Sequence, residues 1–532
     1  MHDTAVLSLP AALARAQQHA SQAHFDEFLT DCQSIIDRHG GDADALLSVG
    51  SLLLAFGFLS AAGACFERVR SVAPNDMRPL VNLANLAREF GDHAQSRRLY
   101  ASLLARLPDH PVIRRNAVVS LEYDPDVPDA ERVAQAVAWG DWAVAATGGA
   151  RPRPVCRPLA GRPLRIGYVS ADLCQHTVGL FVKDVLLAHD VERVTIFAYS
   201  AGRVSDWVTA AIGAQCVLHD VASLDDAALA ACIRQDEIDV LVDLSGHTAG
   251  SRLTVFAHRP APVQVSGLGY FATTGLAVMD AVLLDEWHAP AGTQTQFVEP
   301  IVRLPGGRFC YTPVPFAPEQ VAPPPCLING YVTFGCFNNT AKLNPGVFAL
   351  WVRILAAVPH SRLILKWRTL VDASLCAAIR ADFAQRGIDP QRITLRPATF
   401  HADLLAQYAD IDIALDPFPF TGGLTSCEAL WMGVPVVTWP QSQMVSRQTF
   451  AFLCAIGLAE LAAVDADDYV RIAISLATDQ DRMVALRSAM RSRMQASSLM
   501  DVTGFARQLE NALMQLHAEI VVITSTATSA PM

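Results

Sequence analysis

Apolar, small and proline residues recur with a period of 34 residues in the first part of the chain. The window that starts at residue 43 and the window that starts at residue 77 match position by position. This period predicts two consecutive pairs of α-helices, with small residues where the helices cross, because a close approach leaves no room for large side chains. The matched positions are Leu46 with Leu80, Val49 with Leu83, Gly50 with Ala84, Leu53 with Ala87, Gly57 with Gly91, Ala62 with Ser96, Phe66 with Tyr100, Val69 with Leu103, and Pro74 with Pro108.

The two units resemble tetratricopeptide repeats, which are pairs of antiparallel helices. A degenerate unit is expected in residues 11–39, and a further helical piece from Pro111. Because about three units are needed for a stable stack, the flanking pieces or the next domain should cap the array.

One stretch of this region, Ala45 to Phe66, carries no charge for 22 residues. That length is sufficient to span a bilayer. The repeat register divides the stretch between two helices, however, and we therefore expect no membrane partner.

From Leu164 the pattern changes to short β-branched runs that alternate with helical stretches, which is typical of parallel sheets in α/β folds. Pro-rich linkers separate two such series. We expect a helical array followed by two facing Rossmann-like domains with a cleft between them, which is the GT-B architecture. The predicted boundaries are repeats in 1–123, a helical linker in 124–161, an N-terminal Rossmann-like lobe in 162–320, a C-terminal Rossmann-like lobe in 321–517, and a disordered tail in 518–532.

Composition narrows the function classes. Apolar residues are 52% and charged residues 17% of the chain, which excludes a disordered protein. The net charge is −11 and no basic run is present, so nucleic acid is not an expected partner. The twelve cysteines include no CxxC pair and no zinc-like spacing, and no secretory signal precedes them, so we expect free thiols, no metal and a cytoplasmic location.

The segment from Phe420 to Glu428 reads as a glycine-rich loop that opens a helix. Such a loop directs backbone N–H groups and the helix dipole at an anion. Thr425 or Ser426 is expected to cap the helix. An ordinary strand–loop–helix turn has the same pattern, and Glu428 could either contact a ribose or simply pair with the helix dipole.

Lysine is rare, with three residues against 38 arginines, and Lys342 and Lys366 both follow predicted strands. In an arginine-rich chain, a lysine in a polar loop fits a compact phosphate-binding charge, although a chance surface lysine fits as well. His176 follows the strand RIGYVS, where a histidine could act as a general base or hydrogen-bond a donor phosphate or sugar.

Six long strings then carry a resemblance to the O-linked N-acetylglucosamine transferase/SPINDLY family, glycosyltransferase family 41. The resemblance implies an inverting, metal-independent transferase that uses a nucleotide sugar, without a further cofactor, to modify Ser or Thr of proteins. The strings are RIGYVSADLCQH (165–176), LVDLSGHTAGSRL (241–253), RPAPVQVSGLGY (259–270), FGCFNNTAKLNP (334–345), LDPFPFTGGLTSCEALWMGVPVVTWP (415–440) and SRQTFAFLCAIGLAELAA (446–463).

The resemblance also implies the site residues. His176 and Lys342 are the expected catalytic groups. The expected donor-binding residues are Asn339, Lys342, Gly422, Gly423, Thr425, Ser426, Glu428 and His401. The expected sugar or acceptor pocket contains His247, Gly269, Tyr270, Thr273 and Lys366.

The chain departs from the animal enzyme at three of its motifs. The His-Thr-Thr run of the phosphate loop is Gly423-Leu424-Thr425 here, and the base-stacking histidine is Leu404, with His401 one turn earlier. Phe271 replaces a proline beside the sugar pocket.

The Asp410-Ile411-Asp412 run resembles a metal-binding DxD motif but leads into a predicted strand, so we interpret it as structural.

These observations favour a protein O-glycosyltransferase, with UDP-N-acetylglucosamine as the leading donor and protein acceptors docked through the helical repeats. The alternatives are transfer of another sugar, such as fucose from GDP-fucose, and an interaction scaffold with an inactive transferase fold.

Overall fold

The computed structural model describes residues 7–528, with side chains described as far as residue 524. The α-helices are α1 (Leu9–Ser21), α2 (Phe25–His39), α3 (Ala43–Ala55), α4 (Leu59–Val72), α5 (Arg78–Glu89), α6 (His93–Arg106), α7 (Pro111–Leu121), α8 (Asp129–Ala146), α9 (Thr177–Leu187), α10 (Trp207–Gly213), α11 (Asp226–Gln235), α12 (Thr254–Ala257), α13 (Cys326–Asn329), α14 (Pro345–Ala357), α15 (Ala373–Gln385), α16 (His401–Ala406), α17 (Leu424–Trp431), α18 (Gln448–Ala455), α19 (Ala466–Thr478), α20 (Gln480–Gln495) and α21 (Val502–Thr528). The strands are β1 (Leu164–Ser170), β2 (Val194–Ser200), β3 (Val217–Asp220), β4 (Val240–Asp243), β5 (Val263–Ser266), β6 (Ala281–Leu284), β7 (Ile301–Arg303), β8 (Thr333–Cys336), β9 (Arg362–Lys366), β10 (Ile393–Arg396), β11 (Ile413–Leu415) and β12 (Val436–Val437).

The chain divides into two compact units. The first contains Met1–Tyr123 and Thr333–Leu404, and the second contains Asp124–Val332 and Leu405–Met532. Each unit therefore combines segments that are far apart in the sequence.

The first unit contains the helical array that the 34-residue period predicted. Helices α1 and α2, α3 and α4, and α5 and α6 pack as pairs, and each pair is joined by a turn of three residues. Small residues lie at the crossings: a Cβ on Gly50 would come within 2.6 Å of the Phe66 ring. Ala84, Tyr100 and Leu103, from the matched positions of the next repeat, are buried together with Ile113 of α7.

Residues 45–66, which we considered as a bilayer span, form parts of α3 and α4 with a turn between them. Within residues 7–528, no helix combines the length and the apolar character that crossing a membrane requires.

The α/β part of the first unit consists of three parallel strands in the order β10-β9-β8. Helices α14 and α15 connect these strands. The register places Cys336 beside Leu365 and Arg396 beside Lys366, so the loops that follow the strands emerge at one edge of the sheet.

The second unit is built on a seven-stranded parallel sheet in the order β3-β2-β1-β4-β5-β6-β7. The three central strands β1, β4 and β5 are buried at every position except Arg165, as expected for parallel strands that are covered on both faces. The strand order reverses between β1 and β4, as in Rossmann-like domains. Strands β11 and β12 pair in parallel elsewhere in the same unit.

Helix α21 is fixed to the second unit through Glu510, whose side chain is fully buried. Its carboxylate accepts hydrogen bonds from His189 Nδ1 (3.1 Å), Asp190 N (2.9 Å) and Arg193 Nη1 (2.7 Å). Burial raises the pKa of Glu510, but these hydrogen bonds and one from Arg507 outweigh it and lower the pKa to about 2. The helix continues to Thr528, whereas we expected disorder from residue 518; the rest of the expected tail, 529–532, lies outside the described residues.

Candidate active site

The loop after β8 carries Lys342. Residues 340–342 form one 3₁₀ turn that is capped by Asn339, whose Oδ1 accepts a hydrogen bond from Ala341 N (3.0 Å). Lys342 Nζ donates to Asn338 Oδ1 at 3.1 Å. The side chain of Asn339 thus shapes the turn, and the half-buried ammonium group of Lys342 is held at the carboxyl end of the strand.

Lys366 ends the neighbouring strand β9, so it lies at the same edge of the sheet as the Lys342 loop. The side chain is 2% exposed and donates to Pro397 O at 2.7 Å. Burial, together with the nearby positive charge of Arg396, lowers the pKa of Lys366 to about 8. His401 begins α16, which follows the neighbouring strand β10.

The helical array packs directly on these two loops. A Cβ on Gly91, in the turn between α5 and α6, would lie 2.5 Å from Leu343 O, and a Cβ on Gly57, in the turn between α3 and α4, would lie 2.4 Å from Arg368 O. Arg368 donates to Leu54 O at 2.8 Å. The repeats therefore fix the backbone immediately after both lysines.

A second contact adds to this packing. The Asp372 carboxylate accepts hydrogen bonds from Ser60 N (2.7 Å) and Ser60 Oγ (2.9 Å) at the start of α4. The same Asp372 caps α15 by accepting from Leu375 N at 2.9 Å. The Asp372 side chain thus links helix α4 of the array to helix α15, which connects strands β9 and β10.

In the second unit, the glycine-rich loop lies between β11 and α17. Asp416 Oδ1 accepts from Gly422 N at 2.7 Å, and Thr421 Oγ1 donates to Val445 O at 2.8 Å. A Cβ on Gly422 would come within 2.1 Å of Ser426 Oγ, so a larger residue there would require the Ser426 side chain to move. Gly423 is the N-cap of α17 and has more space, with Gln448 Oε1 at 3.4 Å from the Cβ position.

Our expectation that Thr425 or Ser426 caps α17 is wrong. The helix begins at Leu424, so both residues lie inside its first turn, and Ser426 Oγ instead pairs with Thr449 Oγ1 at 2.8 Å. Among the described side chains, none caps this N-terminus. The helix start therefore presents backbone amides, which is the arrangement that anion-binding helix ends use.

Glu428 lies one turn into α17 and is 4% exposed. Burial raises the pKa of Tyr311, and the negative charge of Glu428 raises it further. The Glu428 carboxyl group therefore lies close to the Tyr311 phenol. The buried position makes simple pairing with the helix dipole an incomplete explanation, because an exposed carboxylate would serve that purpose without a desolvation cost.

The remaining candidates follow the carboxyl ends of β1, β4 and β5, at the point where the strand order reverses. His247 is fully buried and its Nε2 lies 2.9 Å from Thr274 O. Its ring packs edge-on against Trp139 (4.5 Å between centroids) and Tyr270 (5.3 Å). Gly269 approaches β4 so closely that a Cβ would lie 1.5 Å from Leu244 O.

Thr273, also placed in the sugar pocket by the sequence, is 3% exposed and donates to Glu299 Oε2 at 2.6 Å. The buried hydrogen bond to Glu299 gives Thr273 a role in holding its loop. Contact between Thr273 and a sugar stays a prediction. Phe271 packs edge-on against Phe420 at 4.5 Å, so the loop after β5 contacts the glycine-rich loop.

His176 is the N-cap of α9, and its Nδ1 accepts a hydrogen bond from Val178 N at 3.3 Å. Because that nitrogen is an acceptor, the neutral ring carries its proton on Nε2. The side chain is about half exposed (49%). This arrangement favours a hydrogen-bond donor over a general base.

Sequence reasoning missed three residues near these loops, of which Arg308 and Asp243 are buried and Asp172 is half-buried. Arg308 Nη2 donates to Gly267 O (3.1 Å) and Tyr270 O (2.9 Å), and burial lowers its pKa to about 10. Asp243, whose pKa burial raises to about 6, accepts from Gly246 N at 2.7 Å. Asp172 Oδ1 lies 3.7 Å from His176 Nδ1. Asp172 and Asp243 occur in the strings that carried the family resemblance, so only Arg308 lacked a signal in the sequence.

Comparison with known proteins decides the family. The sequence profile described as "Glycosyl transferase family 41" matches residues 154–311 and 326–509, which is well over half of the chain. The chain belongs to glycosyl transferase family 41. The metal-like Asp410-Ile411-Asp412 run of this family 41 member has a structural contact, since Asp412 Oδ1 accepts from Cys326 N at 3.0 Å.

Two plant relatives and one solved structure are similar to this family 41 chain. The proteins named "Probable UDP-N-acetylglucosamine--peptide N-acetylglucosaminyltransferase SPINDLY" from Petunia hybrida and Arabidopsis thaliana are 40% and 39% identical over 359 and 357 residues. The matches cover 66% of this chain but only 38% and 39% of those proteins. A solved structure of a mutant Thermobaculum terrenum O-GlcNAc transferase is 31% identical, with a TM-score of 0.87 over 98% of this chain and 100% of that chain. The fold is therefore a helical array followed by the Rossmann-like domains of the GT-B class, as the sequence predicted.

Proposed function

We propose that this chain is an inverting glycosyltransferase that moves N-acetylglucosamine from UDP-N-acetylglucosamine to serine or threonine hydroxyls of protein acceptors. The observation that carries the proposal is the similarity to the Thermobaculum terrenum O-GlcNAc transferase, which extends over 98% of this chain and so includes the helical array. The names of the plant relatives point to the same donor and to peptide acceptors.

The departing diphosphate gains negative charge during transfer, and an enzyme stabilises that charge with cations and oriented N–H groups. In the first unit, Lys342 supplies the cation from a turn that Asn339 caps. Separately, the family resemblance implies donor binding by the glycine-rich loop of the second unit, where the start of α17 presents backbone amides. The proposal therefore requires neither a metal nor a cofactor.

Glu428 and His176 have proposed roles on the remaining parts of the donor. A buried carboxylate such as Glu428 is suited to accept hydrogen bonds from the two ribose hydroxyls. His176, with its proton on Nε2, donates a hydrogen bond to the donor phosphate or sugar. The acceptor oxygen attacks C1 of the sugar from the face opposite the diphosphate, the C1–O bond to the diphosphate breaks, and the proton of the acceptor hydroxyl passes to a general base.

The donor is the least constrained part of the proposal. Leu404 stands where the animal enzyme stacks a histidine on the nucleobase, so the sequence offers one fewer contact for uracil. GDP-fucose is therefore the competing donor. Docking of protein acceptors on the helical array and a cytoplasmic location also stay predictions.

The test is incubation of the full chain with UDP-N-acetylglucosamine or GDP-fucose and an acceptor protein mixture, with released nucleotide and acceptor mass as readouts. We expect UDP release and a mass gain of one N-acetylhexosamine on serine or threonine. Transfer of fucose without transfer of N-acetylglucosamine would show that GDP-fucose is the donor. Binding of neither nucleotide sugar would favour an interaction scaffold with an inactive transferase fold. The Lys342→Ala variant is the control for contaminating activity.

A further inference from the structure

Three side chains of different chemistry converge at the β3 edge of the seven-stranded sheet. His219 lies on β3, Cys232 on α11, and Asp236 at the C-terminal end of α11. His219 Nε2 is 3.1 Å and Cys232 Sγ is 3.8 Å from the same Asp236 oxygen, Oδ2. The three donor atoms lie within 4.8 Å of one another.

The imidazole of His219 is held in a fixed orientation. Its ring stacks on Tyr199 of β2 at 5.3 Å and 11°, and on Phe197 at 6.4 Å and 8°. Tyr199 is opposite His219 in the strand register, so this stacking follows from the sheet. The Tyr199 hydroxyl also donates to Asp236 Oδ2 at 2.7 Å, which fixes the carboxylate.

His219 and Asp236 lie close together without forming a hydrogen bond. The Nε2 atom is buried and makes no hydrogen bond with any described residue, although the carboxylate oxygen is only 3.1 Å away. Its lone pair or proton therefore does not point at that oxygen. In a metal site, ligand lone pairs converge on a common point between the ligands rather than on each other, so a short separation without hydrogen-bond geometry is expected there.

The spacings also suit a tetrahedral ion. Bonds of about 2.1 Å to nitrogen and oxygen and about 2.3 Å to sulfur give ligand–ligand separations of roughly 3.4–3.6 Å at tetrahedral angles. The nitrogen–oxygen separation here is 3.1 Å and the sulfur–oxygen separation is 3.8 Å; the latter is bridged by a hydrogen bond that the Cys232 thiol donates to Asp236 and that a bound ion would replace. A thiolate with an imidazole and a carboxylate selects a thiophilic first-row cation over Mg²⁺ or Ca²⁺.

We propose that His219, Cys232 and Asp236 form a binding site for a thiophilic divalent cation, Zn²⁺, with the fourth position open to water. Binding replaces the Cys232 thiol proton by a sulfur–metal bond and releases that proton to solvent. The ion ties α11 to the edge strand β3, and none of its ligands belongs to the residues assigned to the sugar donor.

The site does not depend on the proposed transferase activity, and its test requires no turnover. The full chain, without a histidine tag and freed of metal by a chelator, is titrated with Co²⁺ and followed by absorption. We expect a cysteine-sulfur-to-cobalt charge-transfer band that saturates at one ion per chain and disappears when Zn²⁺ is added. Absence of that band overturns the proposal.

Variants assign the ligands. Cys232→Ser should remove the band, and Tyr199→Phe, which removes only the hydrogen bond to Asp236, should weaken Zn²⁺ binding about tenfold. The matched control is Cys216→Ser, since Cys216 is a half-buried cysteine three residues before His219 and outside the cluster. Circular dichroism in chelator verifies that each variant is folded. A Cys232→Ser protein that keeps the band, or a Cys216→Ser protein that loses it, contradicts the assignment.

Discussion

Gly91 and Leu343 are in backbone contact: a Cβ on Gly91 would lie 2.5 Å from the carbonyl oxygen of Leu343. Gly91 lies in the turn between α5 and α6, and Leu343 directly follows Lys342. The equivalent positions of the three repeats are Ala23, Gly57 and Gly91, with φ of 60°, 92° and 77°. Ala23 is exposed and shows that this turn accepts a Cβ. The left-handed backbone alone does not require glycine at the other two positions. The close approach of the loops after Lys342 and Lys366 explains why both positions are glycine.

Substitution of Gly91 by alanine should displace the turn that carries Lys342. The added methyl group cannot keep its 2.5 Å distance from a backbone oxygen, so one of the two turns must move. We expect a loss of stability of about 1–3 kcal/mol and weaker donor binding. Urea unfolding and calorimetric titration with UDP-N-acetylglucosamine measure the two effects.

The matched control for that variant is Gly41→Ala. Gly41 also precedes a helix of the array, but nothing lies within 4 Å of its Cβ position and its φ is not left-handed. This variant should stay within about 0.5 kcal/mol of the parent chain and bind donor unchanged. Equal behaviour of the two variants would show that the array does not position the loop.

Removal of the Lys342 charge should affect chemistry more than folding. Lys342 is half-buried, and its ammonium group donates to the neutral side chain of Asn338. We expect kcat for sugar transfer to fall at least about a hundredfold, the scale of a lost charge stabiliser, with an unchanged unfolding midpoint. A transfer rate that equals the wild-type rate would remove Lys342 from the mechanism.

Two substitutions at His176 separate its structural and chemical roles. Asparagine keeps an N-cap acceptor for Val178 N, whereas alanine removes it. We expect both variants to lose about a hundredfold in transfer rate, while only His176→Ala also loses about 1 kcal/mol of stability. Transfer kinetics and urea unfolding of both proteins provide the comparison. Full transfer activity in His176→Asn would confine His176 to capping α9.

The sequence predicted the buried strands of the seven-stranded sheet and missed its edges. The short β-branched runs after Leu164 contain β1, β2, β4, β5 and β6, whereas β3 and β7 have no such run. The two missed strands are the outermost ones and are three or four residues long, and β3 is exposed at both ends and half-buried in the middle. An edge strand is covered less than a central strand, so its sequence carries a weaker apolar signal.

The site was predictable where a motif is local and was missed where the fold brings distant residues together. The glycine-rich loop and Lys342 are each contained in one short string. Arg308 holds the loop 267–270 from about 40 residues away in the sequence, and Cys232 meets His219 only because α11 returns to the edge strand. The position of Thr425 and Ser426 inside α17 was misjudged because helix starts shift by one or two residues from any sequence pattern.

Glu510 should make the second unit sensitive to acid. The folded carboxyl has a pKa of about 2, below its value of about 4.5 in the unfolded chain, because His189, Asp190 N and Arg507 hydrogen-bond its ionised form. A group with a depressed folded pKa contributes stability above the unfolded pKa and loses it as the pH falls toward the folded pKa. The contribution, at most about 3 kcal/mol at pH 7, should therefore disappear between about pH 4.5 and pH 2.

Urea unfolding of Glu510→Gln at several pH values tests this expectation. The variant should be less stable than the parent chain at pH 7, and the difference should shrink between about pH 4.5 and pH 2. The control is Glu519→Gln, which changes an exposed carboxyl on the same helix and should match the parent chain at every pH. A constant difference for Glu510→Gln across the window would show that packing, rather than ionisation, accounts for its role in fixing α21.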